Sequence, residues 1–496
     1  MTSHESLSSP PGFHLPALSD VADGVVSDET DPTVIELTYY DTPDLRLARA
    51  GVTLLYRGDD GWVVTLGRET SSGPQLRRDE HRFEGEAGQP PAAAVDLVRA
   101  LVRTARVAPV ARLRTRRRRV ELRDSSEKTL GEVLDDEVTV LASGRVAARF
   151  RELEVEVDDA APAGLADTIF ARLRAAGAGP PDSNPKIVRA LGWRALEPPD
   201  VTAVHRLGPS PSAGEVIRNA LAASVARLVA HDPGVRLGDD PEDVHQARVA
   251  TRRLRSDLRT FHSLLDQDWT QSLRRDLKSV GGDLGAVRDT EVLLDRLRAH
   301  AERLPSADQA TARKIIQRLL QRWDAARADL LEALGSARYA ELLDRLVEAA
   351  HEPALVPSAA DDRAADVLPP LVRKPWEKLR TAVEDLPEDP TDEALHHIRI
   401  KAKRCRYAAE AVAPAVGKRA SAFAKAIADV QAVLGDHQDA VVAEQWLRDV
   451  ASSTIGREVF VAGQLATLER VEIERTRATW GKVWEAARKK KLRQWL

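Results

Sequence analysis

The stretch Val244-His245-Gln246-Ala247-Arg248-Val249-Ala250-Thr251-Arg252-Arg253-Leu254-Arg255 has a counterpart in Leu395-His396-His397-Ile398-Arg399-Ile400-Lys401-Ala402-Lys403-Arg404-Cys405-Arg406. His245 aligns with His396, Arg248 with Arg399, Arg252 with Lys403, Arg253 with Arg404, and Arg255 with Arg406. A second pair, Leu284-Gly285-Ala286-Val287-Arg288-Asp289 and Leu434-Gly435-Asp436-His437-Gln438-Asp439, recurs at nearly the same offset. Two separate matches at one spacing indicate a duplicated unit. The surrounding sequence, from Glu215 to the end, is Ala, Leu, Arg, Glu and Asp at helical spacing, which predicts roughly eight or more helices in bundles. A Pro- and Asp-rich stretch around 353–370 divides this half in two.

The spacing within the repeat carries the chemistry. His245, Arg248, Arg252 and Arg255 stand at i, i+3, i+7 and i+10, which is one stripe of an α-helix, and Arg259 extends it. His396, Arg399, Lys403 and Arg406 repeat the pattern. Like charges at these separations repel, so such a face expects an anion or carboxylates opposite it. Arginine suits phosphate because its planar fork bonds two oxygens at once, and histidine adds charge when an anion raises its pKa. A single basic stripe is ordinarily a solvated face or one paired with acidic neighbours, and the chain has 77 Asp and Glu. Two stripes at matching places in a duplicated unit favour ligand binding. Arg253 and Arg404 lie off the main stripe, and Asp289 and Asp439 are potential partners for it. Cys405 reads as a small packing residue. No His/Asp/Glu cluster of ligand spacing accompanies the histidines.

The first half reads differently. Thr33–Tyr40, Gly51–Arg57, Trp62–Leu66, Leu76–Phe83, Ala111–Arg123, Lys128–Val140 and Phe150–Val157 have strand character, with a turn at Asp59-Asp60-Gly61. Helices fit 92–106 and 164–176. Many antiparallel strands with few helices predict a barrel or a strongly curved sheet. Arg112, Arg114 and Arg116 alternate and share a strand face, as do Glu152, Glu154 and Glu156. Outward solvated rows are the ordinary alternative for both. Pro198, Pro199, Pro209, Pro211 and Gly214 mark a boundary.

Composition bounds the rest. With 496 residues, 43% of them hydrophobic, the chain has material for several folded cores. A formal net charge of −4 does not announce a nucleic-acid partner. The aromatic fraction is only 4%, and no aromatics interleave the aligned stripes to stack bases. One cysteine excludes an internal disulfide. With no apolar run of about 18 residues and no signal-like N-terminus, a cytoplasmic protein without a membrane partner is expected.

The motifs at 245–255, 284–289 and 434–439 resemble the CHAD family, the conserved histidine α-helical domain. That resemblance implies an all-α domain over 215–496, built of two four-helix bundles related by a pseudo-two-fold axis. It also implies inorganic polyphosphate held by a basic surface. The residues that carry this over are His245, Arg248, Arg252, Arg255, His396, Arg399, Lys403 and Arg406, with Arg253, Arg259 and Arg404 beside them. The first half, through Thr38-Tyr39-Tyr40-Asp41-Thr42-Pro43, Leu54-Leu55-Tyr56-Arg57, Arg151-Glu152-Leu153-Glu154-Val155-Glu156 and Lys186, resembles the CYTH or triphosphate-tunnel metalloenzyme family. This implies an antiparallel β-barrel over 1–196, joined by a linker at 197–214. It also implies triphosphate or nucleotide bound by Arg57, Arg78, Arg112, Arg114, Arg116 and Lys186, and Mg²⁺ or Mn²⁺ held by Glu152, Glu154 and Glu156.

One hallmark departs. Where that family has Glu-x-Glu-x-Lys on its first strand, this chain reads Met1-Thr2-Ser3-His4-Glu5-Ser6-Leu7-Ser8-Ser9-Pro10, with Glu5 its only carboxylate. Leu55 and Thr65 also stand where basic residues are expected. Hydrolysis of a triphosphate depends on positioning and charge neutralisation. The expectation is therefore a polyphosphate-binding protein whose barrel is weakly active or inactive. The alternatives are a metal-dependent triphosphatase fed by the helical half, and a nucleic-acid-binding protein.

Overall fold

The computed structural model describes all residues except 1–2, 59, 71–72, 143–144, 159–160, 181–185, 202–206 and 358–359. Side chains at 3–5, 68–70, 73–78 and 142 are also outside the description, which places the expected Arg78 contact there. The chain divides into two compact units, Met1–Asp200 and Val201–Leu496. The division falls inside the expected linker, but residues 212–213 already belong to the helical unit. Ser212 bridges Arg363, and the Ala213 N–H donates to the Asp362 carbonyl.

The first unit is a nine-stranded antiparallel sheet. Its strands are β1 (Ser3–Ser9), β2 (Val26–Glu29), β3 (Thr33–Asp41), β4 (Thr53–Arg57), β5 (Gly61–Thr70), β6 (Gly73–Phe83), β7 (Ala108–Arg123), β8 (Thr129–Ala142) and β9 (Arg145–Val157). The order is β1-β9-β8-β7-β3-β4-β5-β6, with β2 paired to one end of β7. The expected barrel is not closed: β1 and β6 are the two edges among the described residues. At β1 the free edge is already used, because the Ser8 N–H donates to the Pro180 carbonyl and the Gly179 N–H to the Ser8 carbonyl. Short helices α1 (Arg46–Arg49), α2 (Ala92–Leu97) and α3 (Arg99–Val102) are followed by α4 (Leu165–Ala175) and α5 (Lys186–Leu191).

Strand alternation splits this unit into two cores. On one face Leu7, Val120, Leu122, Val133, Leu153, Val155 and Val157 pack against Leu165, Ile169, Phe170 and Leu173 of α4. On the other, Leu37, Tyr39, Leu55, Val63, Leu113 and Val138 pack against Ile187 and Val188 of α5. Each fully buried aliphatic side chain contributes about 2 kcal/mol to such a core.

The second unit is helical: α6 (Ala213–Leu237), α7 (Pro241–Thr260), α8 (Gln267–Glu302), α9 (Ser306–Gly335), α10 (Ala337–His351), α11 (Ala364–Val367), α12 (Pro369–Glu384), α13 (Asp392–Val416), α14 (Lys418–Ser452) and α15 (Arg457–Ala487). The duplication extends beyond the motifs. Asp240 caps α7 by accepting from the Glu242 N–H, and Thr391 caps α13 by accepting from the Ala394 N–H. Helix α8 has 36 residues and α14 has 35, while α9 has 30 and α15 has 31. Helix α7 packs on α13 and α8 on α14, as a two-fold relation requires. Leu293, Leu294 and Leu297 of α8, Ile315 and Leu319 of α9, Leu447 of α14, and Val461 and Leu465 of α15 form one shared core. Among the described residues, no helix is long and apolar enough to cross a membrane.

Candidate functional site: a cationic face and a carboxylate cluster

Both repeat helices are amphipathic with the same phase. In α7 the buried row is Val244, Ala247, Ala250, Thr251, Leu254 and Leu258; in α13 it is Leu395, Ile398, Ala402, Cys405, Ala409 and Val412. Cys405 is fully buried, which pushes its thiol pKa up and agrees with a packing role. Burying these rows fixes where the cations go, because each basic stripe lies one step around its helix. Since α7 packs on α13, the two stripes converge.

The charges register this convergence. Burial first, and then the neighbouring charges of Arg252, Arg399, Arg248 and Arg255, push the Lys403 ammonium down to about 7. Burial and the charges of Arg404, Arg274 and Arg255 also lower Arg259. Arg399 is lowered by burial, with Asp439 opposing the shift and Arg252 and Arg248 adding to it. His245 is lowered by burial, with Glu242 opposing the shift and Arg288, Arg252 and Arg248 adding to it.

Partners divide the stripe residues into two groups. Arg248 pairs with Asp289 at 2.8 Å, and Arg252 donates to the Tyr407 hydroxyl at 2.8 Å. Arg253 bonds Glu410 and lies 3.2 Å from the fully buried Asp257, while Arg406 donates to Glu410 at 2.6 Å. Arg253 and Arg406, both expected to bind ligand, are thus committed to an internal acidic pair, and their guanidinium groups lie 5.6 and 5.4 Å from the centre of the Tyr407 ring. By contrast, Arg255, Arg259, Arg274, Arg399, Lys403 and Arg404 have no carboxylate within 4.0 Å among the described residues. The buried Nε atoms of Arg252, Arg274 and Arg399, and Nδ1 of His396, also lack a hydrogen-bond partner.

The second motif supports the first. A Cβ added at Gly285 would touch the Arg248 guanidinium at 3.8 Å, and one at Gly435 would touch Nε of Arg399 at 3.7 Å. In each half the glycine gives the arginine room to lie across the neighbouring helix, near the motif's aspartate. Sequence reasoning missed Arg274 and Tyr407. Arg274 lies on α8 outside both motifs, and Tyr407 aligns with Ser256, so the repeat gave no signal for either. His437 is an internal group, bonded to Thr476 and Asp392 at 3.0 and 3.1 Å.

In the sheet unit, Glu152 and Glu154 of β9 gather with the buried Asp136 of β8, and these three carboxylates offer oxygens within 4.8 Å of one another. Asp136 replaces Glu156 in the expected trio: Glu156 lies farther along β9, opposite Glu132 and His4 in the register. The three acids are already served. Arg117 grips Asp136 with two bonds of 2.7 Å, Lys186 reaches Glu152, Asp136 and Glu154 at 2.5, 2.8 and 3.3 Å, and Arg189 reaches Glu152 at 3.1 Å. Burial raises the Asp136 carboxyl, but Arg117 and Lys186 outweigh it and hold the group below its usual range.

The expected tunnel arginines are elsewhere. Arg112, Arg114 and Arg116 do share a face, but it is the exposed one, because Ala111, Leu113 and Thr115 take the inner positions. Arg57 is engaged by Asp60 at 2.9 Å. The register places His4, Ser6 and Ser8 of β1 opposite Glu156, Glu154 and Glu152, and Glu5 opposite Val155. The strand expected to carry the acidic motif is present, and its positions facing β9's acids hold His and Ser.

Comparison with known proteins places these two units. A CYTH domain matches residues 17–185, and a CHAD domain matches residues 219–448. The chain is a CYTH–CHAD protein. Two proteins of Mycobacterium tuberculosis, from strains CDC 1551 and H37Rv, are each 34% identical to it over 492 residues, spanning 93% of this chain and 91% of theirs. Among solved structures, PptA from Streptomyces chartreusis is 27% identical with a TM-score of 0.46, over 55% of this chain and 99% of its own. The CHAD domain of the plant Ricinus communis is 26% identical with a TM-score of 0.45, over 57% of this chain and 94% of its own. CYTH and CHAD domains belong to polyphosphate and triphosphate chemistry in general, and this chain shares that coarse assignment.

Proposed function

We propose that this CYTH–CHAD protein binds inorganic polyphosphate on the converging faces of α7 and α13, extended by Arg274 of α8, and that its sheet unit hydrolyses triphosphate weakly or not at all. The observation that carries this reading is the set of six cations that have no carboxylate partner among the described residues. At an effective dielectric near 20, each pair of unit charges a few ångströms apart repels by about 2–4 kcal/mol. A fold that gathers such a group without acids is completed by an anion with many charges. A chain of linked phosphates meets several of these groups at once. Arg248 and Arg399, each against a motif glycine, would hold phosphate oxygens bidentately; Lys403 and His245 would add charge once the anion restores their protons.

The test is a titration of the purified protein with long-chain polyphosphate at several salt concentrations, with RNA as competitor. Tight, salt-sensitive binding that resists RNA is expected. Charge reversal at Arg252, Arg255, Arg399 and Lys403 together should abolish it without loss of helical signal. Unchanged affinity in that folded variant would overturn the assignment. The acidic trio of the sheet unit favours a second reading, a metal-dependent triphosphatase. Release of phosphate from tripolyphosphate, dependent on Mg²⁺ or Mn²⁺, would establish that reading in its place.

A further inference from the structure

The three carboxylates of the sheet unit suit a hard divalent cation by their chemistry, yet the centre they share already holds a cation. The Lys186 ammonium has three N–H donors and lies 2.5, 2.8 and 3.3 Å from Glu152, Asp136 and Glu154. We propose that Lys186 is a built-in substitute for the divalent metal of the CYTH unit, closing the Asp136–Glu152–Glu154 site with a charge the chain supplies itself.

Four observations support this. Among the described contacts the formal charges cancel, since Lys186, Arg117 and Arg189 balance three carboxylates. A metal added to this group would leave two uncompensated positive charges in a site where Asp136 is only 1% exposed. The ammonium is also anchored: Ile187 and Val188, which follow it on α5, are buried in the core with Leu37, Leu113 and Val138, so the side chain is held where the acids are. Arg189, on the same helix, lies over the Phe150 ring at 3.8 Å while bonding Glu152. Finally, β1 offers His4, Ser6 and Ser8 in register with the acids of β9, so the first strand adds no carboxylate there to tip the competition toward a metal. Mg²⁺ keeps several waters and demands near-octahedral geometry, which a site filled by a lysine and backed by apolar side chains does not provide.

This inference concerns the sheet unit and stands apart from the polyphosphate reading of the helical unit, so either can fail alone. The experiment is a Mn²⁺ titration of the full-length protein, followed by the electron paramagnetic resonance signal of free Mn²⁺, which requires no enzymatic activity. The native protein should leave the signal unchanged into the millimolar range. Lys186→Met should open a site of one Mn²⁺ per chain at least tenfold tighter, and adding Glu154→Gln to it should remove the site. If Lys186→Met does not fold, Lys186→Gln takes its place with the same expected outcome. Stoichiometric Mn²⁺ binding by the native protein that is lost in Glu154→Gln would overturn the proposal. So would a folded Lys186 variant that binds no Mn²⁺, since the lysine would then not be what excludes the metal.

Discussion

Lys403 shows how a residue that repeats Arg252 acquires a different property. Arg252 has the Tyr407 hydroxyl to donate to, while the matching position beside Lys403 is Ser256, and the ammonium is left among four guanidinium groups. Its folded pKa of about 7 lies below the unfolded value near 10.4. Between those values the unfolded chain binds the extra proton, so Lys403 makes the free protein more stable as pH rises from 7 toward 10. A bound polyanion removes this dependence by restoring the proton. Polyphosphate binding should therefore take up protons near pH 8, and affinity should fall as pH rises above 7. Calorimetry in buffers of different ionisation enthalpy measures this, and Lys403→Arg should flatten the pH dependence above 7. Their partners separate two further arginines. Arg399→Ala removes charge-assisted bonds of about 1.5–3 kcal/mol and should weaken binding about 10- to 100-fold with little change in denaturation midpoint. Arg253→Ala leaves Asp257 and Glu410 without their common partner. It should cost about 2–3 kcal/mol of folding stability by denaturant titration.

At the scale of elements, the repeat made the helical unit legible before any coordinates. Periodicity placed His245, Arg248, Arg252 and Arg255 on one stripe, and α7 presents them so. Periodicity could not say which arginines are occupied, because Glu410 reaches Arg253 across the junction between α7 and α13, a long-range contact with no local trace. The sheet unit shows the same limit more sharply. Alternation correctly grouped Arg112, Arg114 and Arg116 but is blind to which face is inward, and the apolar Ala111 and Leu113 decided that. The pairing of Asp136 with Arg117 and Glu152 depends on the register of three strands, which a single sequence does not fix. Leu-Gly was legible as a motif but not as the place where an arginine crosses a helix. That crossing is testable. Gly435→Ala meets Arg399 at ordinary contact distance, so it should gain about 1 kcal/mol of helix propensity with affinity nearly unchanged. Gly435→Leu should displace the guanidinium and weaken polyphosphate binding at least tenfold while circular dichroism stays helical.

For the whole molecule, net charge conceals the binding face. The chain carries −4 overall, yet six cations without a carboxylate partner among the described residues belong to the helices where the two halves of the duplication meet. A duplication that packs α7 on α13 produces one long cationic surface from two short ones. From His245 to Arg259 alone the stripe runs about 20 Å along its helix axis at 1.5 Å per residue. That length sets a selectivity. A triphosphate engages only the few groups within its reach. A long chain spans both stripes and releases the counterions along its whole contact, giving a steeper dependence on salt. The ratio of affinities for long-chain polyphosphate and tripolyphosphate should therefore exceed tenfold at low salt and shrink as salt rises, as competition titrations at matched phosphate concentration would measure. Arg259→Ser with Arg404→Ser should lower long-chain affinity and its salt slope while leaving tripolyphosphate binding nearly unchanged. Equal losses for both ligands would mean that a single local pocket does the binding and that the length of the surface has no role.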